Sequence, residues 1–228
     1  MTRLGKLQAV FACATALLIL RVLVTMLLEY RWYFPADFNG SVFLSGRQAT
    51  FVGLYRAAFY AHIISGPLAL VLGLGLLAIA RAPRLSRVHR RLGRVQILLV
   101  LLLVAPSGLI MACGTQAGEL AAYGFAALAL LTGGCGVAVI QAARAGRFEA
   151  HQRWALRCCV LLCSPMLLRL NTGLLIVTQH ESIWLYSLSA WLSWLIPLMF
   201  LEVWFRYSAY CHVQAALLNH ARTYHQAT

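Results

Sequence analysis

Long apolar stretches separated by short polar segments make up most of the chain. A membrane-spanning helix needs roughly 20 apolar residues, because each residue advances about 1.5 Å through a hydrocarbon core about 30 Å thick. The segments between the stretches are too short to hold a soluble domain, so the pattern predicts one all-α, polytopic bundle of six transmembrane helices. The predicted spans are about 7–28, 57–80, 95–113, 120–143, 155–177 and 183–205.

Composition supports this class. Of the 228 residues, 61% are hydrophobic and 11% are charged, with a mean hydropathy of +0.76, which excludes a water-soluble domain of this size. The first stretch is too long for a signal peptide and has no small-residue cleavage site before "EYRWYF", so we predict that it is a true span.

Basic residues give the chain a formal net charge of +13, and they are unevenly distributed. If the N-terminus is cytoplasmic, most basic residues in the loops and at the span edges lie on the cytoplasmic side. Three lie on the other side of the membrane: Arg31, Arg47 and Arg56. The positive-inside rule therefore predicts that both termini are cytoplasmic (N-in/C-in). We expect the inner arginines to contact anionic lipid headgroups and not nucleic acid. The inner set is Arg3, Lys6, Arg81, Arg84, Arg87, Arg90, Arg91, Arg94, Arg144, Arg147, Arg153, Arg157, Arg206 and Arg222.

An internal repeat brings two histidines into equivalent positions. "LALVLGLGLLAIARAPRLSRVHRRLGR" (68–94) aligns with "LALLTGGCGVAVIQAARAGRFEAHQRWALR" (128–157), and in each a span and a basic loop precede His-x-Arg. His89 and His151 are thus predicted at one depth on different helices, as bis-histidine ligation of haem b requires. The alternative is that both are polar residues marking where a helix enters the membrane.

Ionisable residues within the outer third of the bundle suggest a second site. Arg21, Arg169 and His62 are predicted at similar depth with no acid beside them, which favours an anionic or hydrogen-bonding guest such as a haem propionate, a quinone carbonyl or a lipid phosphate. Alternatively, Arg21 snorkels to the surface, and Arg169 bonds to carbonyls freed near Pro165 or to Asn171. Glu202 is placed to pair with Arg153, Arg157 or His151.

The remaining polar and sulfur-containing residues carry weaker signals. Residues 29–56 hold eight aromatic side chains and are predicted to fold as an interfacial cap, whereas residues 206–228 form a cytoplasmic tail that contains three solvated histidines. Most of the seven cysteines lie within spans, where thiols act as small apolar groups, although Cys158, Cys159 and Cys163 leave a soft-metal site open.

Several motifs resemble a bacterial membrane family known as domain of unknown function 2306. They are "AHIISGPLALVLG" (61–73), "VHRRLGRV" (88–95), "APSGLIMA" (105–112), "HQRWALR" (151–157), the "LRL" around Arg169 and "WLSWLIPLMFLEVWFR" (191–206). "HQRW" and "IP" depart from the family pattern. The resemblance implies a compact helical protein of the bacterial inner (plasma) membrane, and it brings an analogy with two-haem cytochrome b proteins but no established activity.

Two functional hypotheses follow. The first is a redox protein that binds haem b or a quinone, with His89 and His151 as inner ligands and His62, Arg21 and Arg169 around an outer pocket. The second is a non-enzymatic membrane factor: a transporter of small solutes or lipids, or an accessory subunit with a membrane protein partner. Whether the protein is an enzyme stays open and no catalytic residue is predicted, because the motifs of hydrolysis and phosphoryl transfer are missing from the sequence.

Overall fold

The structure is a computed structural model that describes residues 3–41, 43–180 and 182–227. Most of these residues are helical and none forms a β-strand, which confirms the all-α class. The α-helices are α1 (Arg3–Leu28), α2 (Gly53–Ile79), α3 (Ser86–Leu98), α4 (Ala105–Cys113), α5 (Glu119–Arg144), α6 (Phe148–Leu162), α7 (Ser164–Val177) and α8 (Ile183–Ala227).

Five helical segments within the described residues are long and apolar enough to cross a membrane. They are Gly53–Ile79, Pro83–Cys113, Glu119–Arg144, Phe148–Val177 and Ile183–Cys211. The multi-pass class is thereby supported, whereas the crossing by α1 that would make six spans stays a prediction. α3 and α6 begin earlier than the predicted spans, because the polar segments that precede the apolar stretches are helical too.

Two of these segments are irregular, which the sequence analysis did not predict. Between α3 and α4 the chain forms a π-helix, Leu99–Val104, shortly before Pro106. Proline has no N–H to donate within a helix, so the regular hydrogen-bond pattern is interrupted at Pro106; next to it, the hydroxyl of Ser107 donates to the carbonyl of Leu103 at 2.5 Å. α6 and α7 are separated at Cys163, just before Pro165.

The helices pack as two antiparallel hairpins with α8 beside them. α2 and α5 each contact both α3 and α6, so α3 and α6 occupy opposite corners of a four-helix arrangement. A glycine allows α5 and the π-helix to approach each other closely. A Cβ at Gly136 would lie 3.3 Å from Val100 and from Leu101. α8 packs on α5, α6 and α7, and α1 packs on α7.

The two ends of the bundle differ in chemistry. At the end that we call the basic end, α2 and α5 finish and α3 and α6 begin, with Arg81, Arg84, Arg144 and Arg147 close to these boundaries. At the opposite, cap end, the loop between α1 and α2 packs as an aromatic cluster around Tyr33, Leu44, Phe51 and Phe59. The predicted cap therefore packs against the bundle, and it ends where α2 begins at Gly53.

Candidate functional site

His89 and His151 occupy matching positions at the basic end. Each is the fourth residue of its helix, α3 or α6, and each is half-buried. Along α3 and into the π-helix, the residues that follow His89 at helical spacing become progressively more buried: Gly93, Gln96 and then Val100, which is fully enclosed. His89 therefore lies on the stripe of α3 that faces the core.

His151 lies on the corresponding stripe of α6, in line with buried Cys158 and Leu162. Its Nδ1 is 3.1 Å from the carbonyl oxygen of Val139 on α5. A carbonyl only accepts hydrogen bonds, so Nδ1 carries the hydrogen and Nε2 of the neutral ring holds the lone pair. An imidazole oriented in this way by a backbone carbonyl is prepared to ligate a metal through Nε2.

The Nδ1 atom of His89 is buried, and no described residue forms a hydrogen bond with it. Two turns further along the same stripe, Gln96 is 8% exposed and its Oε1 is unpartnered in the same part of the structure. The amide lies against α2, because a Cβ at Gly73 would be 3.2 Å from Gln96 Nε2. The interior near His89 thus contains an imidazole and an amide whose polar atoms are not fully satisfied within the protein.

His62 of α2 has a different environment. Its Nδ1 is 3.0 Å from the Oγ of Ser107 on α4, and the Ser107 hydroxyl donates to the carbonyl of Leu103 in the preceding π-helix. The hydroxyl oxygen therefore accepts from His62 Nδ1–H. Gly108 makes room for the ring, because a Cβ there would lie 3.1 Å from His62 Cε1. These contacts give His62 a role in joining α2 to α4.

Arg169 of α7 has an acidic neighbour that the sequence analysis missed. Its Nη1 is 3.9 Å from Oε2 of Glu29 at the end of α1, so the premise that no acid lies at this depth is wrong. Glu29 also accepts a hydrogen bond from the hydroxyl of Tyr33, at 3.1 Å. Burial, together with the charge and the hydrogen bond of Glu29, raises the pKa of Tyr33 to about 12.

Arg21 is exposed on α1, and no described residue hydrogen-bonds to its side chain. This placement agrees with the snorkelling alternative and separates Arg21 from the Arg169–Glu29 pair. His62, Arg169 and Arg21 each have a different environment, and no contact among the described side chains brings the three together. The outer pocket stays a prediction without a shared contact to support it.

Glu202 of α8 pairs with Arg157 of α6, one of the three partners that the sequence offered. The pair is bidentate, with Nε and Nη2 of Arg157 at 2.5 and 2.9 Å from the two carboxylate oxygens. The guanidinium also lies 4.5 Å from the centre of the Trp154 ring. This interaction ties α6 to α8 toward the basic end.

Among the described residues, no group of three or more histidine, cysteine or acidic side chains is arranged to hold a metal ion. The seven cysteines are free, and Cys135, Cys158 and Cys159 are buried. Any metal at this site would therefore have to bring most of its own ligands, as a haem does with its four porphyrin nitrogens. The side chains of the three tail histidines, His212, His220 and His225, lie outside the part of the chain that the structure describes.

Taken together, the apolar helices and their packing define a helical, multi-pass membrane protein. Residues 59–205 match the model of a family described as "Predicted membrane protein (DUF2306)". The match runs from α2 into α8 and covers well over half of the chain, and the protein belongs to this family. No curated protein and no solved structure matches the chain.

Proposed function

We propose that this protein is a membrane redox protein that holds haem b between His89 and His151 at the basic end. The observation that carries the proposal is the position of the two imidazoles. They lie on core-facing stripes of helices at opposite corners of one four-helix arrangement, at the same residue of each helix. Bis-histidine haem sites in helical bundles need this relation between two helices.

The protonation of His151 favours iron over a quinone as the guest. The Nδ1–H of His151 is used by Val139, so the free Nε2 offers a lone pair. A ferric or ferrous iron binds such a lone pair, whereas a quinone carbonyl needs a hydrogen-bond donor. A quinone is the second candidate ligand, and the buried side-chain amide of Gln96 would be its hydrogen-bond donor.

When bound, haem b supplies one-electron transfer. The residues of this chain would hold it in place: His89 and His151 as axial ligands, and the exposed Arg90 and Arg91 beside His89 as cations for the propionates. The backbone carbonyl of Val139 would keep the His151 ring in one orientation and raise its basicity.

The visible spectrum of the full chain, expressed with haem supplementation and purified in detergent, tests this proposal. We expect a Soret band and a dithionite-induced α band in the unmodified protein. We expect His89→Ala and His151→Ala each to lose most of this absorbance. His180→Ala is the matched control, because His180 is exposed at the cap end, and it should retain the bands.

A protein without a Soret band would remove the haem proposal, and solvent extraction of the same sample would then show whether a quinone is bound. If both are missing, the remaining hypothesis is a non-enzymatic factor that transports a small solute or lipid or assembles with a membrane protein partner. Bands that survive both histidine substitutions would place the haem at other ligands and would also overturn the proposal.

A further inference from the structure

A recess of about 540 Å³ lies along the first three turns of α6, from Arg147 to Arg157. Its lining residues Ala150, Arg153 and Arg157 follow one another at helical spacing along a flank of α6 beside His151, and His151 itself is not among the lining residues. Its walls combine arginines with two aromatic side chains, Phe148, which is 74% exposed, and Trp154, which is 37% exposed.

The charges of the recess are only partly balanced. The charge of Arg157 is neutralised by its bidentate pair with Glu202. The Arg157 guanidinium also stacks on Trp154, which holds this side of the recess in place. Arg147 and Arg153 are exposed, and Glu149 is the one carboxylate among the lining residues. The recess therefore holds one net positive charge, which matches a singly charged phosphodiester.

The surroundings of the recess favour a lipid over a water-borne anion. α8 packs beside α6, and its residues Val203 and Trp204, which follow Glu202, are exposed and apolar. Aromatic side chains next to arginines are typical of the headgroup level of a membrane, where a phosphate contacts cations and acyl chains cover apolar walls. A free phosphate would gain nothing from these walls.

We propose that this recess binds the phosphate of an acidic phospholipid headgroup, with Arg147 and Arg153 as its direct contacts. The recess does not include His151 or His89, so it can be tested separately from the haem proposal. The inner arginines in general are expected to contact lipid headgroups; this proposal assigns specific binding to the recess and to two of them, Arg147 and Arg153.

Native mass spectrometry of the full chain in a non-ionic detergent, with phosphatidylglycerol or phosphatidylcholine added, tests the proposal. We expect preferential retention of phosphatidylglycerol, and an affinity about tenfold lower in Arg147→Gln/Arg153→Gln. The control Arg81→Gln/Arg84→Gln removes the same charge from exposed positions at the same end and should leave the affinity unchanged. The pair Arg147→Lys/Arg153→Lys keeps the charge and should retain most of the preference, which separates loss of binding from misfolding.

Glycerol phosphate at millimolar concentration distinguishes the source of the phosphate. If it fails to compete with the lipid, the lipid assignment stands; if it competes, the site takes a soluble phosphate ester and the lipid assignment is overturned. Equal binding of the two lipids, or an equal loss in the control pair, would also overturn the proposal, because either result indicates unspecific attraction to basic residues.

Discussion

Gln96 shows at the scale of one residue how a membrane interior can retain a polar group. Its Oε1 is buried among apolar helices, with no hydrogen-bond partner in the described part of the chain. A buried polar group that lacks a partner costs about 1–3 kcal/mol of stability. Such a cost is expected at a position that serves a bound molecule.

Replacing Gln96 with methionine, which has a similar shape and no amide, should therefore stabilise the protein without its guest. We expect the free energy of unfolding to rise by about 1 kcal/mol, because the unpaired acceptor is removed while the volume is kept. Thermal unfolding in detergent, followed by circular dichroism, measures the change. Gln141→Met on the exposed face of α5 is the matched control and should alter the midpoint little. A lower midpoint for Gln96→Met would mean that the amide has a structural partner.

At the scale of an element, Arg47 fastens the cap loop to the bundle. Its Nε donates to the carbonyl of Phe43 at 2.8 Å, and its Nη1 donates to the hydroxyl of Tyr55 and to the carbonyl of Gly114. The guanidinium also lies 4.5 Å from the centre of the Phe43 ring. One side chain thus connects the loop with α2 and with the residue that follows α4.

We expect Arg47→Ala to loosen this loop while leaving the helices folded. The loss of these charge-assisted hydrogen bonds should lower the local stability of the cap by about 2 kcal/mol. Hydrogen exchange of the amides in residues 43–51 would then be faster, and exchange in α5 unchanged. Arg56→Ala is the control, because Arg56 is an exposed arginine near the start of α2. Unchanged protection in the loop after Arg47→Ala would show that the aromatic cluster alone holds the cap.

At the scale of the whole molecule, the two ends of the bundle suggest its orientation. The basic end collects arginines from both hairpins, and the cap end has few. We predict that the basic end and both termini face the cytoplasm. A green fluorescent protein fused after α8 should fluoresce, and an epitope tag in the cap should be accessible from outside intact spheroplasts.

An N-terminal tag tests the same prediction and the crossing by α1 together. If α1 spans the membrane, we expect this tag to be inaccessible from outside intact spheroplasts. The accessible tag in the cap is the positive control. Access to the N-terminal tag from outside would leave five spans and an external N-terminus, and it would contradict the predicted topology.

The all-α class, the positions of the long helices and the packing of the aromatic cap were all predictable from the sequence. In hydrocarbon the backbone must satisfy its own hydrogen bonds, so a run of about 20 apolar residues is sufficient to predict a helix. The internal repeat also predicted that His89 and His151 occupy equivalent positions. The membership of the family follows from motifs in residues 59–205, which the comparison confirmed.

Only the tertiary structure decided which side chains meet. Glu29 lies far from Arg169 in the sequence, and its approach depends on α1 packing against α7. The choice of Arg157 as the partner of Glu202, the hydrogen bond from His151 to Val139 and the inward position of Gln96 depend likewise on helix packing. The sequence determines which face of a helix is apolar or polar, but the neighbour of that face is chosen by the packing of the whole bundle, because only there do residues distant in the chain come within bonding distance.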